Sequence, residues 1–152
     1  MANSMRELLD RARDFHHQLS ELYSQSLAIA SDERAKILLD YMSAHETTLE
    51  QAIEDYKQEA ASKQVLDHWV QFPPDTATCK CFDNVEALDS SMTVNDIISV
   101  VMQLDDCLIR FYRQLAEEAH NEIISNIFKR LLMLEESEER IAVRNALELE
   151  QI

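Results

Sequence analysis

Five side chains in this sequence have types and spacing suited to ligand chemistry: His16, Glu46, Asp105, Glu135 and Glu138. Carboxylate oxygens and an imidazole are ordinary ligands for Fe, Mn and Zn. Glu135 and Glu138 end an apolar stripe of Ile127, Leu131 and Leu134 within IFKRLLMLEESEERI, residues 127–141. A stripe aimed at a core should end in acids only where something meets their charge, because burying an unpaired ion costs several kcal/mol. Neighbouring carboxylates also raise each other's pKa, so without a cation some would stay protonated. The residues therefore allow two arrangements. One is a divalent ion held by the acids and the imidazole. The other is a hydrogen-bonded cluster of protonated acids, waters, His16 and the tyrosines Tyr23 and Tyr112.

The elements that must position these groups are helices. The chain has 152 residues, no glycine, and two adjacent prolines, Pro73 and Pro74. Tight hairpin turns need positive φ, which glycine supplies most cheaply, and abundant Leu, Ala, Glu and Gln favour helix. An all-α fold in a single domain over residues 1–152 is expected. Ser4 followed by Glu7 is a capping signature, and Leu8, Ala12, Phe15, Leu19, Leu22, Ser26 and Ala30 then keep one face, with His16 and Tyr23 beside them. Ser31-Asp32 breaks the chain, and Ala35, Leu38, Met42, Leu49, Ile53 and Tyr56 recur at helical spacing around His45 and Glu46. So short a break implies an antiparallel pair. Thr93 with Asp96 repeats the cap, and Ile98, Val101, Asp105, Leu108, Tyr112, Leu115 and Ala119 share a face. His120-Asn121 then separates a fourth helix reaching about Leu149.

The two halves correspond at one ungapped shift of 89 residues, which carries Glu46 to Glu135. The same shift pairs Ser4 with Thr93, His16 with Asp105, Tyr23 with Tyr112, and Glu50 with Glu139. Two helical hairpins joined by a crossover over about 62–92 are expected. Within it Val65–Phe72 is expected as a short helix, stopped by Pro73-Pro74, with His68 and Trp69 covering the bundle. DTATCKCFDN is expected to be irregular. A helix of about 28 residues is roughly 42 Å long at ~1.5 Å per residue, and a crossover of ~30 residues can travel that length, leaving helices 2 and 3 parallel.

Charge and composition exclude several functions. The formal net charge of −15, from 14 Lys+Arg against 29 Asp+Glu, repels phosphate backbones, so nucleic acid is not an expected partner. The apolar runs are too short for a membrane span, and MANSMRELLD shows no secretory signal. Three cysteines argue against a disulfide framework and for the cytoplasm. Cys79 and Cys81 are expected as ordinary loop thiols, and Cys107 as a small packing residue. His17 and His45 are expected at the edge of the inner faces, hydrogen-bonding locally.

LDDCLIRFYRQLAEEAHNEIISNIFKRLLMLEESEERI, residues 104–141, resembles the ferritin-like superfamily and is most similar to its rubrerythrin branch. The resemblance extends over residues 4–149 apart from the crossover. It implies an up-down-down-up four-helix bundle with one long crossover. It also implies a di-iron-type site, with one Glu from each of two helices and Glu-x-x-His from each of the others. Carried over, Asp105 takes a helix carboxylate position, and Glu46 and Glu135 the bridging positions. Glu138 and Leu49 stand where histidines would be, His16 stands where a Glu would be, and Tyr23 and Tyr112 match the supporting tyrosines. The resemblance implies Fe or Mn, as one or two ions, and redox chemistry with oxygen or peroxide. It also implies an external electron donor, because the chain has no C-x-x-C knuckles, and a homodimer. The alternative is a catalytically degenerate bundle acting as a structural or interaction module.

Overall fold

Local caps and one distant segment decide where the helices begin. The computed structural model describes residues 2–71 and 88–151. In order these form β1 (Ala2–Ser4), α1 (Met5–Ile29), α2 (Glu33–Ser62), β2 (Trp69–Gln71), α3 (Val94–Glu118) and α4 (Glu122–Glu150). Ser4 Oγ accepts from the Glu7 N–H at 3.1 Å. At α3 the capping box is complete: Thr93 Oγ1 accepts from the Asp96 N–H, and the Asp96 carboxylate accepts from the Thr93 N–H. Asn121 Oδ1 caps α4 through the N–H groups of Ile123 and Ile124. Asp32 precedes α2 without a side-chain cap.

Four helices packed in pairs make an arrangement compatible with a four-helix bundle. Three residues separate α1 from α2 and α3 from α4, so each pair folds back as a hairpin. α1 packs mainly on α2 and α3 on α4, and α2 also touches both α3 and α4. The 89-residue correspondence is carried by the helices themselves, because Met5 maps to Val94, Ile29 to Glu118 and Glu33 to Glu122, all of them helix ends. The buried residues follow the same shift. Leu8/Ile97, Ala12/Val101, Leu19/Leu108, Tyr23/Tyr112, Leu38/Ile127, Leu39/Phe128 and Met42/Leu131 are all buried on both sides. Each large apolar side chain among them stabilises the fold by about 1.5–3 kcal/mol relative to exposure.

Two sequence-based expectations about the crossover are corrected. Val65–Gln71 does not form the expected short helix: Trp69–Gln71 is a strand, paired antiparallel with Ala2–Ser4, and Phe72 lies outside the described residues. The reason is non-local. The first N–H groups of a helix have no partner within it, and here the carbonyls of His68 and Leu66 accept from Met5 and Arg6, each at 2.8 Å. Val65, Leu66 and Val70 are buried there, whereas Trp69 is 66% exposed and covers little. A ladder between distant segments needs no hairpin turn, so the lack of glycine does not prevent it. The one positive φ among the described residues is at Gln64 (61°), just past α2.

Cys107 packs half-buried against the core, as expected, and is in addition disulfide-bonded; Pro73-Pro74, Cys79 and Cys81 lie outside the described residues. Spacing along the chain cannot show which thiols a fold brings within bonding range. Disulfides persist mainly in oxidising compartments or as redox-sensing pairs. Among the described residues no helix is long and apolar enough to cross a membrane.

Candidate metal centre

The apolar stripes of the two hairpins meet at a buried cluster of ionisable groups. His16 (α1), Glu46 (α2), Asp105 (α3) and Glu135 (α4) are all buried, at 4% exposure or less. Each helix contributes one group because each has a polar residue in line with its core stripe. On α4 the line is Ile127, Leu131, Glu135 at successive fours, the spacing of one helical face, and all three are buried. Leu134 and Glu138 flank that line and are half-buried. The expected stripe through Leu134 is therefore shifted by one residue.

His16 lies between the two glutamates. Its Nδ1 is 2.5 Å from Glu46 Oε2, a short hydrogen bond. Its Nε2 is 2.7 Å from Glu135 Oε1, close enough for an ion pair but off the axis of a well-aligned hydrogen bond. Burial by itself pushes the imidazole pKa down, but the adjacent Glu135 and Glu46 outweigh it and hold His16 well above its ordinary value. Burial raises Glu46, partly offset by His16. The pair thus keeps a proton between Nδ1 and Oε2.

Asp105 differs because no cation among the described residues pairs with it. Burial first, then Glu135 and Glu46, raise its pKa well above its ordinary value. Tyr23 and Tyr112 are fully buried, and burial followed by the neighbouring acids pushes both phenols well up. Among the described residues their hydroxyls have no hydrogen-bond partner, and neither do Glu46 Oε1 and Asp105 Oδ1. Buried polar atoms are nearly always paired, so several unpaired ones around one cluster require an explanation.

Of the five candidate ligands, four come together and Glu138 stands apart. Glu138 Oε2 lies 3.1 Å from His45 Nε2, and His45 stacks on Tyr41 with ring centroids 5.7 Å apart. Leu49, the counterpart of Glu138, is 3% exposed and apolar. Among the described residues no three of His, Cys, Asp and Glu form a group arranged to hold a metal ion.

A second tier was only partly legible from sequence. His17 Nδ1 is 3.3 Å from Glu50, and its Nε2 is 3.0 Å from Glu21. At the matching point of the other hairpin Glu139 neighbours Asp106, and burial together with that neighbour raises the Glu139 carboxyl to about 7. The shift of 89 pairs His17 with Asp106 and Glu50 with Glu139, and that correspondence was the signal. No family model, curated protein or solved structure matches the chain.

Proposed function

We propose that this is a ferritin-like metal-binding protein, an up-down-down-up bundle that takes one Fe or Mn ion at Glu46, Asp105 and Glu135. His16 closes one side of the site, and Glu138 joins only by turning away from His45. The observation that carries this reading is the set of unpartnered buried atoms: Glu46 Oε1, Asp105 Oδ1 and the hydroxyls of Tyr23 and Tyr112. A divalent ion would engage the carboxylate oxygens and give the tyrosines ionised acids to donate to. The donor set is mainly oxygen, which suits Mn or Fe, and it fits a single ion better than a pair because Leu49 offers no ligand.

When bound, such an ion would supply one-electron chemistry toward oxygen or peroxide, with an external donor replacing the electrons. The chain's own contribution is to keep water out, through a cluster with almost no exposed surface, and to manage protons. Asp105 would release its proton on binding, as ligation requires, and the His16–Glu46 hydrogen bond is a place to hold one. Anaerobic loading with Fe(II) or Mn(II), desalting and metal analysis is the test. About one equivalent is expected, and less than a tenth of an equivalent would overturn the reading.

A second reading has its own observation. His16 already compensates both glutamates and Glu138 is held by His45, as expected of a degenerate bundle serving as a structural or interaction module. In that case no metal binds in the loading experiment, and Asp105→Ala leaves stability unchanged or raises it.

A further inference from the structure

We infer that the groove between the start of α2 and the end of α4 is a docking site for a basic segment of a partner protein, seated by an arginine. The groove lies apart from the buried cluster and does not depend on a metal. Ile37, Leu38, Tyr41, Asn145, Glu148 and Leu149 line a cavity of about 220 Å³ there. That is room for a side chain, given that a water molecule takes about 30 Å³. Leu38 and Leu149 are buried beneath it, while Ile37 is 56% exposed.

The chain's own repeat shows what fills such a groove. Under the 89-residue shift Tyr41 corresponds to Arg130, Asn145 to Tyr56 and Glu148 to Glu59. At the other ends of the same two helices the place is taken. The Arg130 guanidinium lies over the Tyr56 ring, 5.1 Å from its centroid, and donates to both Glu59 oxygens, from Nη1 to Oε1 at 3.1 Å and from Nη2 to Oε2. A planar guanidinium suits both contacts, because its fork matches a carboxylate and its face an aromatic ring. The open end keeps an acid and an aromatic ring but lacks the cation. Among the described residues no Lys, Arg or His pairs with Glu148. Tyr41 is set in place by stacking on His45, with centroids 5.7 Å apart and planes at 9°. The missing guanidinium therefore has to come from outside, with Ile37 offering an apolar contact to the residue beside it. The formal net charge of −15 steers a basic segment towards this surface.

The test is titration calorimetry at about 0.15 M salt, where a Debye length of ~8 Å screens diffuse attraction. The probe is a short capped peptide of Ala and Lys carrying one Arg and one Leu, compared with the same peptide holding Gln in place of Arg. The Arg peptide should bind the wild type saturably, and the Gln peptide at least about tenfold more weakly. Glu148→Gln should weaken the Arg peptide at least about fivefold, and Glu150→Gln, which removes an acid outside the groove, should not. Tyr41→Arg/Asn145→Tyr copies the filled end into the open one and should abolish binding while raising the urea midpoint. No binding of the Arg peptide, equal binding of both peptides, equal loss in Glu148→Gln and Glu150→Gln, or binding retained in the folded double variant would overturn the inference. So would a wild-type dimer that Glu148→Gln dissociates in sedimentation, which would give the groove to a second copy of the chain. If the double variant does not fold, the two glutamine variants, both at exposed positions, decide the matter.

Discussion

His45 Nε2 lies 3.1 Å from Glu138 Oε2, so the residue beside one inner glutamate, Glu46, holds the acid one turn beyond the other, Glu135. The contact joins α2 to α4 at the edge of the cluster, where both side chains remain partly exposed. It draws Glu138 away from the buried centre. His45→Ala should release it, tightening Mn(II) binding several-fold at a stability cost of about 1 kcal/mol or less. Titration calorimetry of the variant checks this, and unchanged or weaker binding would show that Glu138 is no reserve ligand.

His16 compensates two buried carboxylates at once. His16→Ala should therefore cost about 3–5 kcal/mol in metal-free protein at pH 7, since it leaves buried charge without a partner. Urea unfolding measures the loss. A cost below about 1 kcal/mol would mean that the two glutamates are neutral without it.

Asp105→Asn separates the roles of a neutral acid and a ligand. Burial raises the Asp105 carboxyl well above its ordinary value, which favours the neutral acid, and an amide of the same shape should change metal-free stability by under about 1 kcal/mol. Mn(II) affinity should fall at least about tenfold, the scale seen even for groups that only support a ligand. Equal affinity in wild type and variant would remove Asp105 from the site.

Glu139 gives a pH dependence of known sign. Its carboxyl is raised from 4.5 to about 7 in the folded chain, by burial and by Asp106. Below 4.5 it is protonated in both states and contributes nothing. Between 4.5 and 7 the folded state binds more protons than the unfolded one, so stability falls as pH rises. Glu139→Gln should match the wild type at pH 4 and exceed it at pH 8, by a modest margin because solvent screens the partly exposed pair. Urea midpoints at the two pH values decide it, and a difference that does not grow with pH would contradict the assignment.

Much of this was legible in the chain. Helical spacing gives the angle of each residue about its own axis, about 100° apart, which is enough to put His16, Glu46, Asp105 and Glu135 on inner faces. Capping chemistry is local, so Ser4 and Thr93 announced the starts of α1 and α3, and an ungapped shift needs only residue numbers. Leu134 and Glu138 show the limit, since a drift of one position moves a side chain from the core line to its flank.

The sequence alone therefore determined the four helices, their repeat and the burial of acids without lysine or arginine. Only the tertiary structure decided how that charge is met. His16 reaches Glu46 and Glu135 across 30 and 119 positions of chain, Glu138 turns to His45, and the carbonyls of Leu66 and His68 draw Trp69–Gln71 into a strand. Each depends on which side chain or backbone group arrives opposite another when hairpins pack, and periodicity along one helix carries no record of its neighbour.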